Sequence, residues 1–118
     1  MCGITGIVAT NSKSKNMETV IELMRHRGPD GNGVFQDDQI ALAHTRLSII
    51  DTTEQGTQPM RDSKTGVVIV YNGEVYNFQK LRSSIKNHKF DSRTDTEVIL
   101  HLYLEYGTKF VNMLEGLQ

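Results

Sequence analysis

Apolar positions recur along this chain with two periods. Met17, Val20, Ile21 and Met24 fall on one helical face and predict an amphipathic helix that ends near Arg25-His26-Arg27 and is stopped by Gly28-Pro29-Asp30-Gly31. Thr94-Asp95-Thr96-Glu97 has the form of a capping box, and Val98, Ile99, Leu102, Tyr103 and Tyr106 continue it as a helix stopped by Gly107. Phe78, Leu81 and Ile85 mark another helix face, and Phe110, Val111, Leu114 and Leu117 predict a last helical turn or two. Short apolar runs at 3–9, 40–44, 47–50 and 67–71 read as strands, with polar loops at 11–16 and through Asp62. Asn72-Gly73, between the run at 67–71 and Glu74-Val75-Tyr76, is a signal for a tight β-hairpin turn. Strands placed before and between helices point to an α+β fold or to layered sheets with helices outside.

Composition narrows the classes of function. The 118 residues are the size of one domain. Thirteen Lys and Arg against 14 Asp and Glu leave a formal charge of -1, which offers nothing to attract nucleic acid or an anionic membrane. The apolar runs are far shorter than the roughly 20 residues of a membrane span, and the start of the chain lacks the basic and apolar segments of a secretory signal. A soluble, cytoplasmic protein is expected. Cys2 is the only cysteine, so no internal disulfide or cysteine metal cluster can form, and the four histidines show no metal-ligand spacing.

The position of that cysteine is chemically suggestive. Removal of Met1 leaves Cys2 with a thiol and a free α-amine on one residue, and an amine with an ordinary pKa of about 7.7 to 8.0 can accept the thiol proton. The alternative is a small residue packed beside an N-terminal strand. A site that cleaves an amide through Cys2 also needs oxyanion donors and a grip on its substrate. The Asn72 side-chain amide and the Gly73 N–H can supply the first, if they are not simply a hairpin turn. Arg46, between two apolar runs, either snorkels to the surface or is buried with an anionic partner, which is a protein carboxylate or a ligand. Asp95, in the first turn of its helix, either serves the helix or faces an ammonium. Arg46 and Asp95 together would select an α-amino acid. His44 is a second possible base for Cys2.

The order of these segments carries more weight than any one of them. Met1-Cys2-Gly3-Ile4-Thr5-Gly6-Ile7, Arg25-His26-Arg27-Gly28-Pro29-Asp30-Gly31, Ala43-His44-Thr45-Arg46-Leu47-Ser48-Ile49-Ile50-Asp51, Gln58-Pro59-Met60, Tyr71-Asn72-Gly73-Glu74-Val75-Tyr76-Asn77 and Thr94-Asp95-Thr96-Glu97 follow one another. This series closely resembles the N-terminal glutaminase domain of glutamine-hydrolysing asparagine synthetases, within the class II glutamine amidotransferases. The resemblance implies an N-terminal-nucleophile (Ntn) hydrolase, an αββα sandwich that hydrolyses the glutamine side-chain amide. It implies Cys2 as nucleophile, its α-amine as base, and Asn72 and Gly73 as the oxyanion hole. It also implies a glutamine pocket of Arg46, Leu47, Ser48, Ile49, Ile50, Asn72, Gly73, Glu74 and Asp95, without a metal. His44 is not the base of that family.

The resemblance further implies that residues 1–118 are the N-terminal part of such a domain, truncated at its C-terminal end relative to the family pattern. The synthetase domain, in which ATP and Mg are expected, is expected to be absent from this chain, and no cofactor is expected in it. Expected partners are L-glutamine and a synthetase domain or subunit, or a second copy. Besides an active glutaminase, two readings stay open: a non-catalytic glutamine-binding or interaction module completed by a partner or second copy, and an inactive fragment.

Overall fold

The computed structural model describes residues 2–47 and 56–117. Strands β1 (Gly3–Val8), β2 (Gly31–Gln36) and β3 (Ile40–Arg46) form an antiparallel sheet in the order β1-β3-β2. Helix α1 (Met17–Met24) has the bounds its apolar spacing predicts, and the Asn16 side chain caps it by accepting the Glu18 N–H at 3.0 Å. Met17 and Ile21 pack on Ala41 and Ala43 of the central strand, with Ile7, Val20 and Met24 around them. The two alanines leave room for the helix to lie close to the sheet. The chain then turns at Arg25, His26 and Arg27 and returns along β2, a strand whose glycine-rich opening, Gly31-Asn32-Gly33, hid it from the apolar pattern.

The second half of the chain builds another core. Helices α2 (Phe78–Ser84) and α3 (Asp95–Tyr106) enclose Val75, Leu81, Val98, Ile99 and Leu102. Strands β4 (Met60–Arg61) and β5 (Val68–Ile69) pair, as do β6 (Glu74–Val75) and β7 (Gly116–Leu117). Asn77 secures the last segment, donating to the Met113 carbonyl and accepting the Glu115 N–H, both at 3.0 Å. The arrangement is α+β, with small antiparallel sheets and three α-helices among the described residues. None of these helices is long and apolar enough to cross a membrane.

Several local expectations are corrected. Asn72-Gly73 is not a hairpin turn: β5 pairs back to β4, β6 pairs forward to β7, and neither residue has the positive φ that a two-residue type I′ turn requires. The hairpin lies earlier, where Gly66 (φ 78°) donates to the Asp62 carbonyl at 2.8 Å. The strand expected at 40–44 runs on through Arg46, so Arg46 lies on β3 itself; Leu47 lies beyond it, and the rest of the run at 47–50 falls outside the described residues. The capping box is half formed. Thr94 accepts the Glu97 N–H, but Glu97 reaches past Thr94 to the N–H groups of Asp91 and Ser92 and to His101. Gly107 (φ 62°) ends α3 as expected, and the helical turns expected at Phe110 and Val111 form as a 3-10 helix over Gly107–Met113, but Leu117 lies in β7 and not in those turns.

Candidate functional site

Cys2 is half-buried at the mouth of β1 and is held from several sides. The Leu47 N–H donates to its sulfur at 3.2 Å, so the end of β3 fixes the thiol. The Arg27 Nε–H donates to the Cys2 carbonyl at 3.2 Å. One residue further on, the Gly3 N–H donates to Thr45 Oγ1 at 3.2 Å, and that hydroxyl donates to the Met24 carbonyl at 3.1 Å. Gly3 is needed for this contact, because a Cβ there would lie 2.7 Å from Thr45 Oγ1. The turn at 25–28, the start of β1 and the end of β3 thus form one tight joint around the cysteine.

Arg46 ends β3 and is buried, 8% exposed. Its Nη1 donates to Thr57 Oγ1 at 3.4 Å. Gly56 lies between its guanidinium and Thr94: a Cβ on Gly56 would be 2.5 Å from Arg46 Nη2 and 2.9 Å from Thr94 Cγ2. The guanidinium is therefore at the N-terminus of α3, whose first residue is Asp95. Asp95 is 6% exposed, and its Oδ2 accepts the Val75 N–H at 3.0 Å. Burial pushes the Asp95 carboxyl up from its ordinary value; the N–H groups of Val75 and Thr96 oppose that shift and Glu74 adds to it. Burial, with the charges of Asp95 and Glu74, pushes the Tyr71 phenol up to about 12.

Asn72, Gly73 and Glu74 lie between two anchored N–H groups. That of Tyr71 donates to Gln58 Oε1 at 2.6 Å and that of Val75 to Asp95. Asn72 and Gly73 are half-buried, and Glu74 is exposed. The structure thus joins Cys2 to Leu47, Arg46 to the start of α3, and Asp95 to the segment carrying Asn72, Gly73 and Glu74. Ser48, Ile49 and Ile50 fall outside the described residues. His44 is fully buried on β3, and burial pushes its imidazole down to about 4. The sulfur of Cys2 is bonded to the Leu47 backbone and not to His44. Sequence reasoning assigned no roles to Arg27, Thr45 or Gln58, which stood in the quoted motifs without a chemical signal of their own.

A family model described as a glutamine amidotransferase domain matches residues 1–118. The chain belongs to that family. Among its relatives, asparagine synthetase [glutamine-hydrolyzing] 1 of Arabidopsis thaliana is 45% identical over 121 residues, covering 99% of this chain and 20% of the relative. The corresponding asparagine synthetase of Brassica oleracea is 44% identical over 121 residues, and asparagine synthetase 2 of Oryza sativa subsp. japonica is 46% identical over 122; each comparison covers 99% of this chain and 20% of the relative. The amidotransferase chain therefore spans about a fifth of the length of the curated relatives it matches. Its residue Cys2 and the segment Tyr71 to Val75 lie within the matched span.

Proposed function

We propose that this amidotransferase domain hydrolyses the side-chain amide of L-glutamine to glutamate and ammonia, the nitrogen-supplying half of asparagine synthesis. The observation that carries the reading is the joint at Cys2: a cysteine directly after Met1, its sulfur oriented by the Leu47 N–H, beside the arginine that ends β3. With Met1 removed, the α-amine of Cys2 takes the thiol proton and the thiolate attacks the substrate Cδ. Asn72 Nδ2 and the Gly73 N–H hold the developing oxyanion. The protonated amine then gives its proton to the departing ammonia, and water cleaves the γ-glutamyl thioester, releasing glutamate and restoring the thiol.

Substrate selection fits the same surface. The Arg46 guanidinium takes the α-carboxylate, and Asp95, with one oxygen on the Val75 N–H, takes the α-ammonium through the other. Leu47, Ser48, Ile49, Ile50 and Glu74 complete the pocket. In this reading residues 1–118 are the first part of an Ntn αββα sandwich in a cytoplasmic enzyme. The ammonia passes to a synthetase domain or subunit, where ATP and Mg belong.

The test is ammonia release from glutamine by protein with a free Cys2 amine, compared with protein in which that amine is acetylated or preceded by retained Met1. Blocking the amine is expected to abolish turnover and leave the circular-dichroism spectrum unchanged. Equal activity in both forms rejects the α-amine as base.

A further inference from the structure

We propose that Gln58 is a positioning residue for the glutamine site, setting the oxyanion segment against the start of α3 without touching substrate; the proposal rests on the amidotransferase reading. Gln58 is 7% exposed and both ends of its amide are used. Its Oε1 accepts the Tyr71 N–H at 2.6 Å, one residue before Asn72, and its Nε2 donates to Thr96 Oγ1 at 3.1 Å, one residue after Asp95. Its own backbone is seated on the three-stranded sheet: a Cβ on Gly33 of β2 would overlap the Gln58 carbonyl and lie 3.0 Å from Pro59 Cδ.

One residue therefore contacts three parts that carry separate pieces of the chemistry. The sheet presents Cys2 and Arg46, the segment after Tyr71 presents Asn72 and Gly73, and the first turn of α3 presents Asp95. A primary amide suits this place because it offers an acceptor and donors a fixed distance apart on one planar group. Leucine fills similar space and bonds neither partner. Glutamate keeps the acceptor for Tyr71 and lets the Thr96 hydroxyl reverse and donate to it. A shift of about 1 Å in reacting groups can cost about 100-fold in rate, so loss of the Tyr71 anchor belongs in kcat. Loss of the Thr96 anchor, next to Asp95, belongs in KM.

The experiment compares wild type with Gln58→Leu, Gln58→Glu and Thr96→Val, reading kcat and KM for glutamine together with amide hydrogen exchange at residues 71–75 and in α1. Gln58→Leu is expected to lower kcat by about 10- to 100-fold and to speed exchange at 71–75 but not in α1. Thr96→Val is expected to raise KM with kcat within about twofold, and Gln58→Glu to recover much of the kcat lost in Gln58→Leu. If Gln58→Leu does not fold, Gln58→Glu and Thr96→Val decide by the same split. Wild-type kcat in Gln58→Leu, or faster exchange spread evenly through the molecule, overturns the proposal. Wild-type protein that releases no ammonia overturns the functional reading instead, and local exchange at 71–75 then decides whether Gln58 anchors that segment.

Discussion

Gly28 has no side chain because β3 leaves no room for one. A Cβ there would overlap the Thr45 carbonyl and the Arg46 amide, which are backbone and cannot move aside. Gly28→Ala is therefore expected to destabilise the fold by about 1–3 kcal/mol, the usual range for overpacking, and to disturb the Cys2 joint. Gly6→Ala is the control: its added Cβ would meet only Leu42 Cδ2 at 3.4 Å, and a denaturant midpoint close to wild type is expected. Equal midpoints for both variants would show that the turn at 25–28 yields to the extra carbon. The glycine in Arg-His-Arg-Gly-Pro-Asp reads from sequence as a helix stop, but α1 already ends at Met24 with Arg25 as its C-cap, and Gly28 has no positive φ. Its tighter requirement is visible only with β3 in place, because the residues it meets, Thr45 and Arg46, lie 17 and 18 positions further on.

At the scale of elements, α1 and α3 were legible because each repeats its apolar residues at helical spacing, and α3 also opens on a capping box; the Asn16 cap of α1, read from sequence as part of a loop, was not. Thr94 is 7% exposed, accepts the Glu97 N–H at 3.2 Å and shares a 2.9 Å hydrogen bond with Ser92. Thr94→Ala is expected to cost about 1–2 kcal/mol in thermal or denaturant melts, with Thr94→Ser recovering most of it. An unchanged midpoint in Thr94→Ala would mean that Glu97, bonded to Asp91 and Ser92, holds the start of α3 by itself. The strands were less legible. Glycine at Gly31 and Gly33 interrupts the apolar alternation of β2, and β4, β6 and β7 are two residues each, too short for any period; of the run read as a strand at 67–71, Val68–Ile69 pairs as β5. Asn72-Gly73 misled for a different reason: its flanking strands found their partners elsewhere.

Over the whole molecule, one core joins α1 to the three-stranded sheet and another joins α2 and α3 to Val75. His44 is buried in that sheet, and its neutrality makes stability depend on pH. Its imidazole titrates at about 4 in the fold, against an ordinary 6.5. Between those values the unfolded chain binds more protons, so stability from this group is lost as pH falls from 6.5 toward 4. The loss amounts to about 3 kcal/mol by pH 4. Denaturant melts across that window are expected to show the slope, and His44→Gln to flatten it. A slope that survives in His44→Gln assigns the effect to other groups.

The linear chain by itself settled the helices α1 and α3 and the order of the motifs around Cys2, Arg46, Asn72 and Asp95. These are local or sequential properties: a helix face repeats within a few residues, and a motif is read in place. Tertiary structure alone decided that β3 is the central strand, that Leu47 holds the Cys2 sulfur, and that Gly56 brings the Arg46 guanidinium to the start of α3. Those contacts join residues tens of positions apart, and they depend on strand register and close backbone packing, which no local pattern encodes.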